Sequence, residues 1–119
     1  MLQIKTYLAP DPFGGTGLFA DEDIEQGQLI LRYCPEFTRY IPVQEYFLAS
    51  AEERKFLDTY TYPHFEPDAA EPLIGVMLNL DNARYSNHSD TPNAGLDPKD
   101  DNLCIALRAI KKGEEITCS

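Results

Sequence analysis

The sequence predicts a mostly β fold with one or two short helices. Three observations support this prediction: the apolar runs are short, Gly and Pro interrupt them often, and only one segment carries a clear helix-start signal. Many short strands with few helical residues indicate a mostly β architecture. The chain has 119 residues, so we expect one domain, which is long enough for a single hydrophobic core but not for two.

The N-terminal third favours strands. Residues 2–7 alternate between apolar and polar side chains, which predicts a half-buried strand. Pro and Gly residues between positions 10 and 15 then interrupt the pattern. Residues 17–20 and 28–33 favour two further strands around a turn at Gln26-Gly27.

The middle of the chain carries the helix signals. Pro42 suits the first turn of a short helix that ends near residue 47. Ser50 and Glu53 form the capping-box pattern, in which each side chain satisfies a backbone N–H at the helix start. We expect this second helix to end near residue 60, with Phe56 and Leu57 facing inward.

The C-terminal half returns to strands. Residues 73–78 form an apolar run that is typical of a buried strand, and residues 93–96 favour a short one. The Asp-rich segment 97–102 predicts a solvated turn. Residues 103–109 and 115–118 are expected to close the sheets.

The composition limits the classes of partner. Twenty acidic residues against ten basic ones give a formal net charge of −10. Such a surface disfavours direct nucleic-acid binding and attracts a Lys- or Arg-rich protein or peptide, although solubility alone also explains the charge. No apolar run approaches the ~18 residues of a membrane span, and the N-terminus lacks the pattern of a signal peptide. We therefore expect an intracellular protein without a membrane partner, which is cytoplasmic, or nuclear if it comes from a eukaryotic cell or its virus.

The cysteines and the acidic turn do not predict a metal site. Cys34, Cys104 and Cys118 are odd in number and far apart, so they form neither a paired metal spacing nor a disulfide framework. The three Asp residues between positions 97 and 101 lack the alternating spacing, central Gly and terminal Glu of an EF-hand calcium loop. We expect no bound metal.

The most informative stretch is residues 84–93, with the sequence RYSNHSDTPN. It brings amide, imidazole and hydroxyl groups together and then fixes the chain direction with Pro92. Such groups need many hydrogen-bond partners when buried, and a ligand can supply some of them. Together with GGTGLFA at 14–20 and GEEIT at 113–117, in this order and at this spacing, the stretch resembles the SET domain, the fold of S-adenosylmethionine-dependent protein lysine methyltransferases.

The resemblance covers nearly the whole chain, as a single SET domain over 1–119 with a variable insert at about 38–71. It implies a mostly β fold of several small sheets around a C-terminal pseudoknot, which is a rare exception to the rule against threaded connections. Many members of the family bind zinc through a Cys that follows Asn-His-Ser. Asp90 stands at that place here and no Cys cluster follows, so zinc is not expected.

The resemblance also implies a cofactor site for S-adenosylmethionine. Glycines let the backbone approach a ligand closely, although a flexible turn is the plainer explanation of such a stretch. Asn87 is implied to hold the cofactor through its amide, and His88 to be a fixed hydrogen-bond partner near the adenine rather than a proton shuttle. The implied cofactor-binding residues are Gly14, Thr16, Gly17, Tyr85, Asn87 and His88.

Tyr33 is the implied catalytic residue, because the family's tyrosine at this place lines a narrow channel for the substrate lysine. Packing in the core is the alternative for a strand aromatic. A free lysine with a pKa near about 10.4 is protonated at neutral pH. Desolvation in an aromatic channel, beside a cationic sulfonium, favours the neutral amine that can accept a methyl group.

Two departures from the family affect the channel. The family places a tyrosine three residues after the Thr of its closing motif, and this sequence ends one residue before that position, at Ser119. We expect the 119-residue chain to bind cofactor but to transfer methyl groups poorly. The family's second channel aromatic falls near Leu96, so Tyr60, Tyr62 or Phe65 is expected to supply part of the wall.

The predicted function is therefore methyl transfer from S-adenosylmethionine to a lysine of a basic protein, histone-like or ribosomal. One alternative is a non-catalytic SET-like module that binds a peptide or protein partner. Another is an acidic β-rich interaction domain without a cofactor. The sequence leaves open which lysine is the target and whether the protein is a monomer or a homodimer.

Overall fold

The computed structural model describes residues 1–65 and 73–118. Residues 66–71 of the predicted insert and Ser119 lie outside the described residues. The strands are β1 (Thr6–Pro10), β2 (Thr16–Ala20), β3 (Leu29–Arg32), β4 (Thr38–Pro42), β5 (Thr61–Phe65), β6 (Leu73–Asn79), β7 (Asn87–His88), β8 (Ala94–Asp97), β9 (Asp100–Ala106) and β10 (Thr117–Cys118). The helices are α1 (Val43–Leu48), α2 (Ala51–Tyr60) and a 3-10 turn (Asn82–Tyr85). In the described part of the chain, no helix is long and apolar enough to cross a membrane.

The strands form four small sheets, which confirms the predicted mostly β class. β1 and β2 are antiparallel, β3-β9-β8 and β4-β6-β5 are three-stranded, and β10 pairs with β7 in parallel. The predicted strands around Gln26-Gly27 exist as β2 and β3, but they do not pair with each other. β2 pairs with β1 and β3 with β9, so the turn connects two sheets rather than the arms of a hairpin.

The C-terminal segment is held between two parts of the chain, as a pseudoknot requires. On one side, Ile116 N–H donates to Leu18 O at 2.8 Å. On the other side, Ser89 N–H donates to Cys118 O at 2.8 Å. Asn93 contacts the same segment through its side chain, which is 2 % exposed. The polar stretch 84–93 therefore contacts residues 115–118 from one side, while β2 contacts them from the other.

The core lies beneath these contacts and is built from β2, β3, β8, β9 and the C-terminal segment. Its members are apolar side chains from these strands, from the connections between them and from the 3-10 turn, and each is at most 6 % exposed. They are Leu18, Ala20, Ile24, Ile30, Leu31, Ala83, Ala94, Cys104, Ala106, Ile110 and Ile116. Both the glycine-rich stretch and the C-terminal motif thus rest on one packed core, which fixes their relative positions.

Several local predictions need correction. The first regular strand begins at Thr6 rather than at residue 2, because Leu2 forms only an isolated bridge with Leu31. Leu57 is buried as predicted, but Phe56 is 45 % exposed and packs on the surface against Tyr60, with the two rings tilted by 52°. The predicted turn over 97–102 is shorter, since the hairpin register of β8 and β9 extends to Asp97 and Asp100.

The capping box at the start of α2 is formed as predicted. Ser50 Oγ accepts a hydrogen bond from Glu53 N–H at 3.1 Å, and Glu53 Oε1 accepts one from Ser50 N–H at 3.3 Å. We expect Ser50→Ala to lower the free energy of unfolding by about 0.5–2 kcal/mol, because one helix-start N–H loses its partner. Urea unfolding measures this loss, and Ser50→Thr is the control that keeps the cap. Equal stability of Ser50→Ala and the parent would contradict the cap's role.

Candidate active site

Asn87 joins the polar stretch to the glycine-rich stretch. Its Nδ2 donates to Asp11 Oδ2 at 3.0 Å and to Glu115 Oε2 at 2.7 Å. Asp11 lies 76 residues before Asn87 and Glu115 lies 28 residues after it. Three distant segments therefore meet at one side-chain amide: the polar stretch, the C-terminal motif and Asp11, which lies just before the glycine-rich stretch.

Asp11 also closes the glycine-rich turn. Its Oδ1 accepts hydrogen bonds from Phe13 N–H at 2.8 Å and from Gly15 N–H at 2.9 Å. Gly14 has a φ of +88°, in the left-handed region that L side chains rarely adopt, so the turn needs glycine there. The hydrogen bond from Gly15, and then those from Phe13 and Asn87, hold the pKa of the Asp11 carboxyl below its ordinary value. Asp11 is therefore an ionised group at neutral pH.

Gly17 and Thr16 lie where this turn enters β2. Gly17 is buried, and a Cβ at its position would lie 2.6 Å from Glu115 Oε2. Real Cβ atoms do not approach so closely, hence a glycine at this position lets the Glu115 carboxylate reach Asn87. Thr16 is exposed at the start of the strand. Gly17 is thus required for close packing, and Gly14 for backbone conformation.

Tyr85 and His88 lie on either side of Asn87 in the chain. Tyr85 is half-buried, with its ring edge-on to Tyr60 at 5.4 Å between centroids and 5.0 Å from the Arg84 guanidinium carbon. The His88 side chain is 69 % exposed, and its Nε2 lies 3.2 Å from Asp90 Oδ1. Contact of either residue with a cofactor stays a prediction.

Tyr33 lies in a cluster of neutral groups that are largely shielded from water, with Tyr62 at its edge, where 36 % of that residue remains exposed. Its ring centroid is 6.3 Å from that of Tyr62, and Cys104 and Cys118 are the other ionisable members. Burial is the main cause that raises the pKa of Tyr33, and it raises the pKa of Tyr62 and of Cys104 to about 12 each. Burial also raises the pKa of Cys118. All four groups are therefore uncharged at neutral pH.

Of the three aromatics that were predicted to complete the channel wall, Tyr62 is the one beside Tyr33. Tyr60 packs against Phe56 and Tyr85 instead, and Phe65 is 55 % exposed. An open cavity of about 430 Å³ lies against Tyr33, with lining residues that include Cys34, Thr38, Arg39 and Met77. A long side chain can thus approach Tyr33 from the surface.

Cys118 links the neutral cluster to the polar stretch. Its Sγ lies 3.4 Å from Ser86 Oγ, and in β10 it is the register partner of His88 in β7. Because the same thiol also contributes to the pKa of Tyr33, it lies within electrostatic reach of that phenol. Cys118 therefore lies between Ser86 of the polar stretch and the cluster around Tyr33.

Sequence reasoning did not select Asp11, Glu115, Cys104 or Cys118. Glu115 belongs to the GEEIT motif, so a signal was present, but no partner for its carboxylate follows from the motif alone. Asp11 precedes the glycine-rich stretch without a recognisable spacing to Asn87. The spacing of the cysteines bears only on metal and disulfide sites. In the structure, Cys104 and Cys118 are small neutral side chains beside Tyr33.

Comparisons with known proteins identify the family of this chain. A family profile described as "SET domain" matches residues 15–119. The human and mouse proteins named Histone-lysine N-methyltransferase 2D are each 29% identical to this chain over 118 residues, which cover 95% of the chain. The chain spans 2% of the length of these curated relatives.

Solved structures show the same fold. The Neurospora SET domain protein DIM-5, a histone lysine methyltransferase, matches with a TM-score of 0.66 and 22% identity, over 99% of this chain and 52% of its own. A candidate histone methyltransferase of Plasmodium falciparum matches with a TM-score of 0.61 and 24% identity, over 99% of this chain and 94% of its own. At these identities the likeness concerns the fold alone.

Proposed function

The chain belongs to the SET-domain family, and from that premise we propose that it binds S-adenosylmethionine and transfers its methyl group to a lysine of a basic protein. When bound, this cofactor supplies a methyl group on a positively charged sulfur, which a neutral lysine amine can accept. The residues of the chain then have two tasks. They must hold the cofactor, and they must keep the lysine amine uncharged and close to it.

The observation that carries the proposal is the neutral, desolvated cluster around Tyr33. Burial raises the pKa values of Tyr33, Tyr62 and Cys118 because it disfavours their anionic forms. The same desolvation disfavours an ammonium ion, so it lowers the pKa of a lysine that enters the cluster. A lysine that is protonated and non-nucleophilic in water therefore releases its proton to solvent as it enters the cluster, and it reaches Tyr33 as a neutral amine without a dedicated general base.

The residues around Asn87 fit a cationic cofactor. Asp11 and Glu115 present two carboxylates to this region, and the open turn at Gly14 has no atom within 4 Å of the position that a Cβ would occupy. S-adenosylmethionine carries an α-ammonium group, a sulfonium and an α-carboxylate, and its two cationic groups complement these carboxylates. Gly14, Thr16, Gly17, Tyr85, Asn87 and His88 are the residues that we propose for its binding.

The partner that we propose is a Lys-rich protein or peptide, such as a histone tail. The formal charge of −10 attracts such a chain, and this attraction falls as salt rises because charges are screened over ~8–10 Å. We propose that the insert at about 38–71, which contributes β4, α1, α2 and β5, selects among substrates because it borders the cavity beside Tyr33.

Replacing Asn87 by alanine tests the cofactor site. We expect Asn87→Ala to bind S-adenosylhomocysteine at least about tenfold more weakly than the parent in calorimetric titration, since an amide that contacts an ionic ligand is lost. Asn82→Ala is the matched control, because Asn82 is exposed and its side chain forms no hydrogen bond among the described residues. Unchanged affinity in Asn87→Ala, with the fold intact by circular dichroism, would remove Asn87 from the site.

A methyl-transfer assay separates the enzyme from the non-catalytic SET-like module. Incorporation of labelled methyl groups into a mixed pool of basic proteins is compared for the 119-residue chain, the chain with one tyrosine added after Ser119, and the chain with one phenylalanine added. Faster transfer with the added tyrosine than with the added phenylalanine is expected for the enzyme. Cofactor binding without transfer in any of the three chains favours the non-catalytic alternative.

A further inference from the structure

The orientation of the Asn87 amide is fixed by chemistry. Asp11 Oδ2 and Glu115 Oε2 lie 3.0 Å and 2.7 Å from Nδ2, and ionised carboxylates only accept hydrogen bonds. The amide must therefore turn its NH₂ group toward them, since the opposite orientation would set Oδ1 against two anionic oxygens. Both N–H bonds of Asn87 are consumed within the protein, and only Oδ1 remains for a ligand.

Oδ1 is an open acceptor. Among the described residues, no group donates a hydrogen bond to it, and the only buried side-chain atom without a partner is Arg84 Nε. Oδ1 of Asn87 is therefore accessible rather than enclosed. An accessible acceptor beside two carboxylates favours a ligand that brings hydrogen-bond donors and positive charge.

The two carboxylates carry charge that the protein does not neutralise. The ion pairs of the described part of the chain are His88–Asp90, Arg108–Glu114 and Lys112–Asp21, and none includes Asp11 or Glu115. The groups that contact them through hydrogen bonds are the neutral Asn87 amide and, for Asp11, backbone N–H groups. A cation bound here would reduce the repulsion between the two anions.

We propose that Asp11 and Glu115 are positioning residues that select the α-ammonium group of the methyl donor. They hold the Asn87 amide with Oδ1 directed to the ligand, and their charge favours an ammonium over a neutral group at that place. This inference rests on the proposed function and adds to it the basis of ligand selectivity. Gly17 contributes to the same arrangement, because a side chain at this position would displace the Glu115 carboxylate from Asn87.

Two ligands separate this role from a purely structural one. The first is S-adenosylhomocysteine, and the second is the same molecule with hydrogen in place of its α-amino group. We expect the parent to prefer the first ligand by about tenfold or more, as a charge-assisted hydrogen bond implies. Asp11→Asn and Glu115→Gln should each bring this preference down toward unity. The ratio of the two dissociation constants is informative even for a partly unfolded variant, because partial unfolding lowers the apparent affinity for both ligands by the same factor.

Glu114→Gln is the matched control. It removes the same charge one residue from Glu115, but Glu114 contacts Arg108 and Lys111 N–H instead of Asn87. Glu114→Gln should prefer S-adenosylhomocysteine over the ligand without the α-amino group by the same factor as the parent. Equal affinity of the parent for both ligands, or an unchanged ratio in Asp11→Asn and Glu115→Gln, overturns the inference while leaving cofactor binding intact. A parent that binds neither ligand overturns both this inference and the proposed function.

Discussion

Replacing Asn93 by alanine should lower the free energy of unfolding by about 2–4 kcal/mol, because two partly buried backbone groups lose their partners. Asn93 Nδ2 donates to Glu115 O at 2.8 Å, and Asn93 Oδ1 accepts from Thr117 N–H at 2.9 Å. The Asn93 side chain thus forms with the C-terminal motif the two hydrogen bonds that a neighbouring strand would otherwise form. At 2 % exposure, water cannot easily replace these contacts.

Urea unfolding followed by circular dichroism measures this effect. The control is Asn102→Ala, since Asn102 is exposed and its side chain forms no hydrogen bond among the described residues, so we expect a change within about 0.5 kcal/mol. A loss below about 1 kcal/mol in Asn93→Ala would show that the C-terminal segment is held by its other contacts. Ile116 to Leu18 and Ser89 to Cys118 would then be the main connections.

The parts of the fold that could be predicted from the sequence are those that depend on residues close together in the chain. The capping box of Ser50 and Glu53 is complete within four residues, and helix α2 begins where it predicts. The turn residues also mark most strand ends correctly. The partner of a strand has no such local cause. β2 and β3 follow one another in sequence, yet β2 pairs with β1 and β3 pairs with β9, and the alternation of apolar and polar residues does not reveal these partners.

The candidate site shows the same division. The segments around Asn87 and Gly14 could be selected from their own residues, whereas their connection through Asp11 and Glu115 depends on how the chain folds back. The sequence offers three aromatic residues for the channel wall beside Tyr33, namely Tyr60, Tyr62 and Phe65. Only the packing of the folded chain shows that Tyr62 is the one beside Tyr33. Partial burial is likewise invisible in composition, so Phe56 was assigned to the core although it is 45 % exposed.

We propose that the neutral cluster around Tyr33 lowers the pKa of an entering lysine. A carboxylate placed in this cluster should raise that pKa again. Cys118 is the suitable position, because burial raises its thiol pKa and it contributes to the raised pKa values of both Tyr33 and Tyr62. An Asp there would stabilise the ammonium form of an entering lysine and raise the lysine pKa by about 1–3 units. Less of the amine is then neutral at a given pH, so Cys118→Asp should transfer methyl groups about 10–1000-fold more slowly near pH 7.5.

The pH dependence of this loss identifies its cause. Since the lysine of Cys118→Asp is deprotonated only at higher pH, its rate should approach that of the control as pH rises, whereas the parent reaches its plateau earlier. Cys118→Asn is the matched control, because it has the size and polarity of Asp without the charge. Rates are measured with a lysine-containing basic peptide, in the chain that carries the added tyrosine, at saturating cofactor. If Cys118→Asp and Cys118→Asn lose rate equally at every pH, the defect is one of packing. The neutral cluster would then not be what makes the lysine reactive, and the proposed function would lose the observation that carries it.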